Sequence, residues 1–227
     1  MKMQDDAIHS DLDIIALPES AIGLNLTTTD ICKMNEIRER KLYLYGEIKA
    51  CVSEYEDTFI SNISPVAALV RQIWNFNNLD RGIAPEKRKP ITLFINSAGG
   101  DLVEGIPLAS VIELSKTPVY TVNVGEWCSM AFFIGITGHK RFSLPHMTFL
   151  MHELFSATVG KISYMEEELD YNRKLSDRVI RQLILKHSKM KEAEYDLIAK
   201  KEFYMLPEEA LHYGFIDEII SDIDTIL

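Results

Sequence analysis

Short apolar segments and longer amphipathic segments alternate along most of this chain. Apolar and polar residues alternate at the start of Lys41–Ile48, which is typical of a strand. Ile91–Asn96 and Val119–Val124 are mostly apolar and short, as expected of strands that are covered on both faces. Arg141–Ser143 and Met147–Met151 predict two further strands. Strands that alternate with helices predict an α/β fold with repeated βαβ units and a mainly parallel sheet.

The segments between and after these strands are predicted to be helices. Apolar residues recur at helical spacing from about Ser53 to Asn77 and again from Lys161 to Lys186, as on one face of an amphipathic helix. The predicted helices cover about residues 53–77, 101–115, 128–136, 161–186, 191–200 and 207–213. The longest helix, from Lys161 to Lys186, carries more apolar surface than a lone surface helix needs, which predicts an interface. Packing of the same stripe on the core of its own domain is the alternative.

Length, composition and charge narrow the class of protein. A chain of 227 residues with 47% hydrophobic and 26% charged residues fits one large globular domain, which we expect over residues 36–227. Residues 1–35 are acidic and weakly periodic, and predict an N-terminal arm or a removable leader. The formal net charge of -10 argues against non-specific nucleic-acid binding, because there is no excess of cations to neutralise phosphates.

Targeting signals and metal-ligand patterns are not apparent in the sequence. No apolar run approaches the roughly 18 residues needed to span a bilayer, and the N-terminus is acidic where a secretory signal would be basic. We therefore expect a cytoplasmic protein with no membrane contact. Cys32, Cys51 and Cys128 lack zinc-site spacing and predict reduced thiols, so neither a metal nor a cofactor is expected.

The segment Gly125–Ala131 (GEWCSMA) is a candidate for nucleophilic chemistry. A strand enters it, Gly125 allows a sharp turn, and Ser129 falls at the first turn of a predicted helix. Unpaired amides and the helix dipole at that end favour a developing anion. A helix-capping role for Ser129 is the structural alternative, because serine is a favoured N-cap residue.

Two other segments could supply the remaining parts of a hydrolytic site. Phe94–Asp101 (FINSAGGD) places two glycines at a predicted strand-to-helix turn, where backbone amides can approach a ligand closely. His152 follows an apolar strand, and its imidazole could act as a general base near neutral pH. Each feature alone has an ordinary structural explanation, since many turns use paired glycines and many histidines only form structural hydrogen bonds.

The ordered set FINSAGGD, GEWCSMA, LMHE and PEEALHYGFIDEII resembles the proteolytic subunit of Clp protease. The resemblance extends from about Lys41 to Ile220, and residue type, order and spacing agree at four separate places. It implies the repeated βαβ spiral shared by Clp peptidases and crotonases, with a protruding handle helix. In that family the handle interlocks two rings of seven subunits into a closed chamber.

The resemblance also implies a role for individual residues. Ser129 matches the nucleophilic serine and His152 the general base, while Gly100 and Met130 match the backbone amides of the oxyanion hole. An ungapped alignment places Glu202 at the position of the third triad residue, usually aspartate, and Ser-His-Glu arrangements are known to work. A gapped alignment would place Lys201 there and leave the triad broken.

Several residues depart from the family pattern near these positions. Trp127 and Cys128 replace small residues just before the nucleophile. The segment from Glu153 to Ala157 replaces the usual Gln-Pro and the glycines that line the substrate groove. These departures predict a shifted substrate preference.

The resemblance implies that large substrates require a partner. That partner is a ring-shaped ATP-driven (AAA+) unfoldase of the ClpX, ClpA or ClpC type, and Phe94 and Leu114 match positions lining the clefts where it docks. The chain has no P-loop, so ATP hydrolysis would belong to the partner. The expected activity is that of a serine endopeptidase acting on unfolded polypeptides and small peptides inside a homo-oligomeric chamber.

Two other functions remain open at this point. The first is a catalytically weak subunit that serves only to build the ring, which the residues at positions 202, 127 and 153–157 would favour. The second is an acyl-CoA enzyme of the crotonase type, which shares the spiral fold and an oxyanion hole made of backbone amides. The pairing of Ser129 with His152 argues against the second, because that class needs no serine nucleophile.

Overall fold

The computed structural model describes residues 37–49 and 64–226, and they form strands and helices in alternation. The strands are β1 (Lys41–Ile48), β2 (Ile91–Gly100), β3 (Val119–Cys128), β4 (Lys140–Ser143), β5 (Thr148–Met151), β6 (Phe203–Met205) and β7 (Glu218–Ile219). The helices are α1 (Pro65–Leu79), α2 (Leu102–Leu114), α3 (Met130–Ile136), α4 (Ile162–Leu175), α5 (Arg181–Lys186), α6 (Glu192–Ile198) and α7 (Pro207–Tyr213). A π-helical turn, Ser176–Ile180, joins α4 to α5, and short 3₁₀ turns cover Pro85–Lys87 and Ile223–Thr225. The predicted leader and the start of the first predicted helix lie outside the described residues.

One mainly parallel sheet organises this part of the chain. Its strand order is β1-β2-β3-β4-β7, and these neighbours are all parallel. The first half of β3 pairs with β4, and its last three residues pair with β5 instead. β6 pairs antiparallel with β5. The predicted α/β class with a mainly parallel sheet is thus confirmed.

The two faces of the sheet carry cores of very different size. Leu93 and Ile95 point into the large cluster packed by the helices, whereas Phe94 between them belongs to a small cluster on the opposite face. The other buried members of the small cluster are Val122, Phe142, Ile220 and Ile226. Within the described ranges, no helix is both long and apolar enough to cross a membrane.

The two central strands are longer than the sequence pattern predicts. The turn predicted at Ser97–Gly100 is wrong, because β2 continues through a register shift and pairs Gly99 and Gly100 with the end of β1. The turn predicted at Gly125 is also wrong, because β3 runs on to Cys128 and the chain turns only at Ser129. Both strands stay paired beyond their apolar runs, and a pattern of hydrophobicity cannot reveal that.

Side-chain and backbone caps delimit several helices. The start of α2 and the end of α7 lie where the sequence predicts them, whereas α1 begins at Pro65 and not near Ser53 as predicted. Ser64 accepts a hydrogen bond from the Ala67 amide at the start of α1, and Asp101 accepts two from the first turn of α2. Gly214 adopts the left-handed conformation (φ 75°) that ends α7.

The long helix predicted from Lys161 to Lys186 is confirmed, and its two halves differ in burial. α4 has no buried residue, and Ile162, Leu169 and Tyr171 are exposed along it. Leu183 and Ile184 of α5 are buried against the body. Packing on its own domain therefore explains the apolar stripe of the second half only.

Candidate active site

Ser129 lies at the junction of β3 and α3 in a conformation that is unusual for a residue with a side chain. Its φ and ψ are 53° and -125°, and its amide donates to the carbonyl oxygen of Leu150 at 2.9 Å. Ser129 is the N-cap residue of α3, yet its hydroxyl makes no capping hydrogen bond. Strained backbone of this kind costs of order 1–3 kcal/mol and clusters at functional sites. The capping alternative thus lacks the hydrogen bond that would account for a serine here.

The end of β2 approaches Ser129 so closely that only glycine fits at position 99. A Cβ atom on Gly99 (φ 91°) would lie 2.7 Å from Ser129 Cβ and 2.9 Å from the Met130 nitrogen. The Gly99 amide already donates to Ser97 Oγ at 3.1 Å, and Ser97 Oγ donates to the Gly46 carbonyl at 2.6 Å. Ser97 thereby holds the irregular end of β2 in place.

The two backbone amides assigned to an oxyanion hole belong to these same segments. The Gly100 amide belongs to the peptide unit that directly follows Gly99. The Gly99 Cα itself lies beside the Met130 nitrogen. The Met130 amide belongs to the first turn of α3, where amides have no partner within the helix. Donors at such positions can stabilise a developing anion near Ser129.

His152 follows β5, the strand that pairs with the end of β3. The register pairs Cys128 with Leu150, and the hydrogen bond from the Ser129 amide to Leu150 extends the contact by one residue. The carboxyl ends of these two parallel strands therefore lie side by side. This juxtaposition brings Ser129 and His152 to the same end of the sheet.

Glu202 precedes β6, which runs antiparallel to β5. The observed pairs are Phe149 with Met205, Leu150 with Tyr204 and Met151 with Phe203. The same register, continued by one residue, sets Glu202 directly opposite His152, at the spacing of cross-strand neighbours whose side chains share a face. Lys201 would then fall one residue further on, where side chains point to the other face.

Strand register relates the positions of these three residues, and hydrogen bonds do not link their side chains. Within residues 37–49 and 64–226, no hydrogen bond to the Ser129 hydroxyl, the His152 ring or the Glu202 carboxylate is present. Ser129 and His152 are half-buried and Glu202 is exposed. Catalytic hydrogen bonds are often long before substrate binds and shorten in the complex.

Cys128 is beside Ser129, the candidate nucleophile, but is poorly suited to replace it. Its thiol is buried and donates to a Glu126 carboxylate oxygen at 3.5 Å. Burial, followed by the hydrogen bond and the negative charge of Glu126, raises the pKa of the Cys128 thiol to about 12. Because the thiolate is the reactive form, this environment suppresses cysteine chemistry.

Trp127, the bulky departure from the family pattern, is accommodated completely within the core. Its indole is fully buried, meets the Phe149 ring edge-on at 5.5 Å between centroids, and lies against Gly135 of α3. The indole Nε1 has no hydrogen-bond partner among the described residues. A Cβ on Gly135 would lie 2.4 Å from the indole ring, so the glycine makes room for the tryptophan.

The segment that follows His152 runs beside α4. Ser156 accepts a hydrogen bond from Asn172 at 3.1 Å, and Thr158 donates to the Glu168 carboxylate. Phe155 is almost fully exposed. Two contacts therefore tie the altered segment to the exposed half of the long helix.

The two residues assigned to a partner-docking cleft differ in exposure. Phe94 is 7% exposed and stacks on Tyr43 with ring centroids 5.1 Å apart, and Tyr43 in turn meets Tyr45 edge-on. Leu114, the last residue of α2, is 82% exposed. Phe94 therefore contributes to an aromatic patch through its neighbours, whereas Leu114 is itself accessible.

Gly99 is a residue of the candidate site that the sequence pattern does not single out. The paired glycines in the motif pointed to close backbone approach, but only the packed structure shows which of them touches Ser129.

Comparison with known proteins places most of the described chain in one family. A family model described as Clp protease matches residues 78–222. The chain is 28% identical over 142 residues to the ATP-dependent Clp protease proteolytic subunit of Streptococcus gordonii, covering 61% of this chain and 72% of the relative. It is 29% identical over 144 residues to the ATP-dependent Clp protease proteolytic subunit 2 of Thermobifida fusca, covering 61% and 69%. The matched range includes every residue assigned above to the site.

Proposed function

This chain belongs to the Clp protease family, and on that premise we propose that it is a serine endopeptidase that cleaves unfolded polypeptides and small peptides inside a ring-shaped chamber. The observation that carries the proposal is the convergence of three strand ends. The β3–β5 and β5–β6 registers support a site in which Ser129, His152 and Glu202 act together. Family membership argues against the acyl-CoA alternative.

The proposed reaction follows from the chemistry of these groups. The Ser129 oxygen attacks the peptide carbonyl, and His152 accepts the hydroxyl proton as the new C–O bond forms. The carbonyl oxygen becomes an anion held by the Gly100 and Met130 amides. The C–N bond breaks as His152 returns the proton to the leaving amine. A water molecule then hydrolyses the acyl-enzyme by the same proton transfers, and Glu202 orients the ring throughout.

Labelling with a fluorophosphonate tests the nucleophile directly. Wild-type protein should be labelled at Ser129, and Ser129→Ala should abolish the labelling. Ser110→Ala is a matched control, because the Ser110 hydroxyl donates only to the Ile106 carbonyl within α2. Labelling that persists in Ser129→Ala would refute the assignment. Wild-type protein that neither labels nor cleaves a fluorogenic peptide would instead be a structural ring subunit.

A pair of adjacent substitutions tests the third triad residue. Glu202→Gln should lower kcat by about 10²-fold or more, because the ring loses its orienting negative charge. Lys201→Met should change kcat little, since Lys201 is exposed and the register sets it away from His152. The opposite result, a large effect at Lys201 alone, would favour the gapped alignment and a broken triad.

We further propose that the chain assembles into two stacked rings of seven copies through the exposed half of the long helix. The exposed apolar residues of α4 support this, because a lone helix gains nothing by presenting them to water. Light scattering should show the double ring for wild-type protein and smaller species for Leu169→Lys. Glu167→Lys reverses a charge on the same helix without removing apolar surface and is the control. A monomeric wild-type protein at all salt concentrations would contradict the proposal.

A partner unfoldase of the ClpX, ClpA or ClpC type is proposed to deliver folded substrates. The aromatic patch around Phe94 and the exposed Leu114 support an apolar docking cleft. Degradation of a folded test protein should require the unfoldase and ATP, whereas cleavage of a short peptide should not. Leu114→Asp should reduce only the first activity, and equal loss of both would argue against docking at this position. A cytoplasmic location stays a prediction from the sequence.

A further inference from the structure

Asn123 is a polar residue at a position where the sequence pattern predicts an apolar one. It lies in the middle of β3, flanked by Val122 and Val124, and is completely buried. A buried amide is costly unless its polar groups are hydrogen-bonded. The hydrogen bonds that compensate it therefore indicate what the residue does.

Asn123 lies where the strand paired with β3 changes from β4 to β5. It is the last residue of β3 paired with β4, opposite Ser143, and the pairing with β5 begins three residues later at Glu126. Its own carbonyl oxygen accepts a hydrogen bond from the Leu144 amide at 3.0 Å, at the start of the loop between β4 and β5. The backbone of Asn123 thus holds one end of that loop.

The side chain of Asn123 holds the other end of the loop. Its Nδ2 donates to the carbonyl oxygen of Thr148, the first residue of β5, at 3.0 Å. Its Oδ1 accepts a hydrogen bond from the Gly125 amide at 3.1 Å. One amide group therefore bridges the strand that leads to the nucleophile and the strand that leads to the base.

The spacing of these two contacts is the same along both strands. Gly125 lies four residues before Ser129, and Thr148 lies four residues before His152. Because both stretches are extended and paired with each other, a shift at Thr148 is transmitted along β5 to His152. We propose that Asn123 is a positioning residue, which sets the strand carrying His152 against the strand carrying Ser129. This inference rests on the proposed peptidase function.

The size of the expected effect follows from the sensitivity of catalysis to geometry. Without the Asn123 amide, the Thr148 carbonyl and the Gly125 amide lose their side-chain partner. A displacement of about 1 Å between reacting groups can cost about 10²-fold in rate. Substitution of Asn123 should therefore slow the reaction of Ser129 in a protein that still folds.

Two substitutions separate this role from simple stability. Asn123→Ala removes both contacts. Asn123→Asp keeps an acceptor for Gly125 but turns a carboxylate oxygen toward the Thr148 carbonyl. Because burial disfavours the charged carboxylate, we expect a raised pKa for the new carboxyl group, and its protonated form regains a donor for Thr148. Thr121→Val is the matched control, since Thr121 is also fully buried in β3 but its hydroxyl donates to Gly135 of α3 at 2.7 Å and not to β5.

The experiment measures the fluorophosphonate labelling rate between pH 8 and pH 6, together with the thermal midpoint of each assembled protein. At pH 8 we expect tenfold or slower labelling for both Asn123 variants and labelling within threefold of wild type for Thr121→Val. The ratio of the Asn123→Asp rate to the wild-type rate should rise at least threefold as the pH falls to 6, whereas the Asn123→Ala ratio should stay flat.

Three outcomes would overturn the inference. They are labelling of the Asn123 variants within threefold of Thr121→Val, a pH-independent ratio for Asn123→Asp, and failure of both Asn123 variants to fold at 25 °C, which would assign the residue to stability alone. Failure of the proposed function is distinguishable, because wild-type protein itself would then not be labelled.

Discussion

Replacement of Gly99 by alanine should slow catalysis strongly, because the added methyl group would displace Ser129, the proposed nucleophile. The added Cβ would lie 2.5 Å from the Cys128 carbonyl oxygen, 2.7 Å from Ser129 Cβ and 2.9 Å from the Met130 nitrogen. All three separations are shorter than real Cβ atoms show, and unbonded carbon atoms prefer about 3.5–4.0 Å. Relief of all three contacts requires Ser129 and its helix to move by roughly 0.5–1 Å, which can cost about 10²-fold in rate, or about 2.7 kcal/mol of transition-state stabilisation.

Gly46→Ala separates this collision from backbone strain. Gly46 also has a positive φ (78° against 91° for Gly99), so both variants carry a strain of about 1 kcal/mol. Among the described residues, no neighbouring heavy atom lies within 4 Å of a Cβ on Gly46.

The assay is kcat/KM for a fluorogenic peptide, together with the fluorophosphonate labelling rate. We expect a loss of about 10²-fold for Gly99→Ala and less than threefold for Gly46→Ala. Equal rates for the two variants would refute the argument that the end of β2 sets the position of Ser129.

Three further predictions concern reactivity and stability. Alkylation of Cys128 by iodoacetamide at pH 9 should be at least 10²-fold slower than alkylation of a free thiol, because a pKa of about 12 leaves about 0.1% thiolate. Peptide mass spectrometry measures the rate. Rapid modification would contradict the raised pKa. Trp127→Ala should lower the free energy of unfolding, measured by denaturant titration, by about 3–5 kcal/mol. Trp127→Phe should lower it clearly less, because phenylalanine retains the ring contact with Phe149 and removes the unpaired Nε1. Equal losses of stability would contradict this packing. Asp80→Asn should cost about 3 kcal/mol at pH 7, because Arg40 donates to both carboxylate oxygens of the buried Asp80 at 2.6 and 2.7 Å. That hydrogen-bonded ion pair, assisted by Thr117, lowers the pKa of Asp80. The difference in unfolding free energy from wild type should therefore persist above about pH 4 and shrink as the pH falls through the lowered pKa. A difference that does not depend on pH would refute the role of the charge.

Local residue patterns are sufficient to predict much of this fold. Alternation with a period of two and recurrence with a period near 3.6 mark strands and helices because each element must bury one face. The ends of α2 and α7 follow from Asp101 and Gly214, whose side chain or backbone freedom satisfies unpaired groups at those positions. The motifs around Ser129 and His152 indicated the family in the same way, because they are short and contiguous.

Only the tertiary structure decided which of these residues meet. The extra length of β2 and β3, the contact of Gly99 with Ser129, and the alignment of Glu202 with His152 all depend on hydrogen bonds between distant segments. The different burial of α4 and α5 depends likewise on which other parts of the chain pack against each half of this continuous helix. A residue's own neighbours in sequence determine its local conformation, but strand register and burial are set by partners far away in the chain, which no local pattern records.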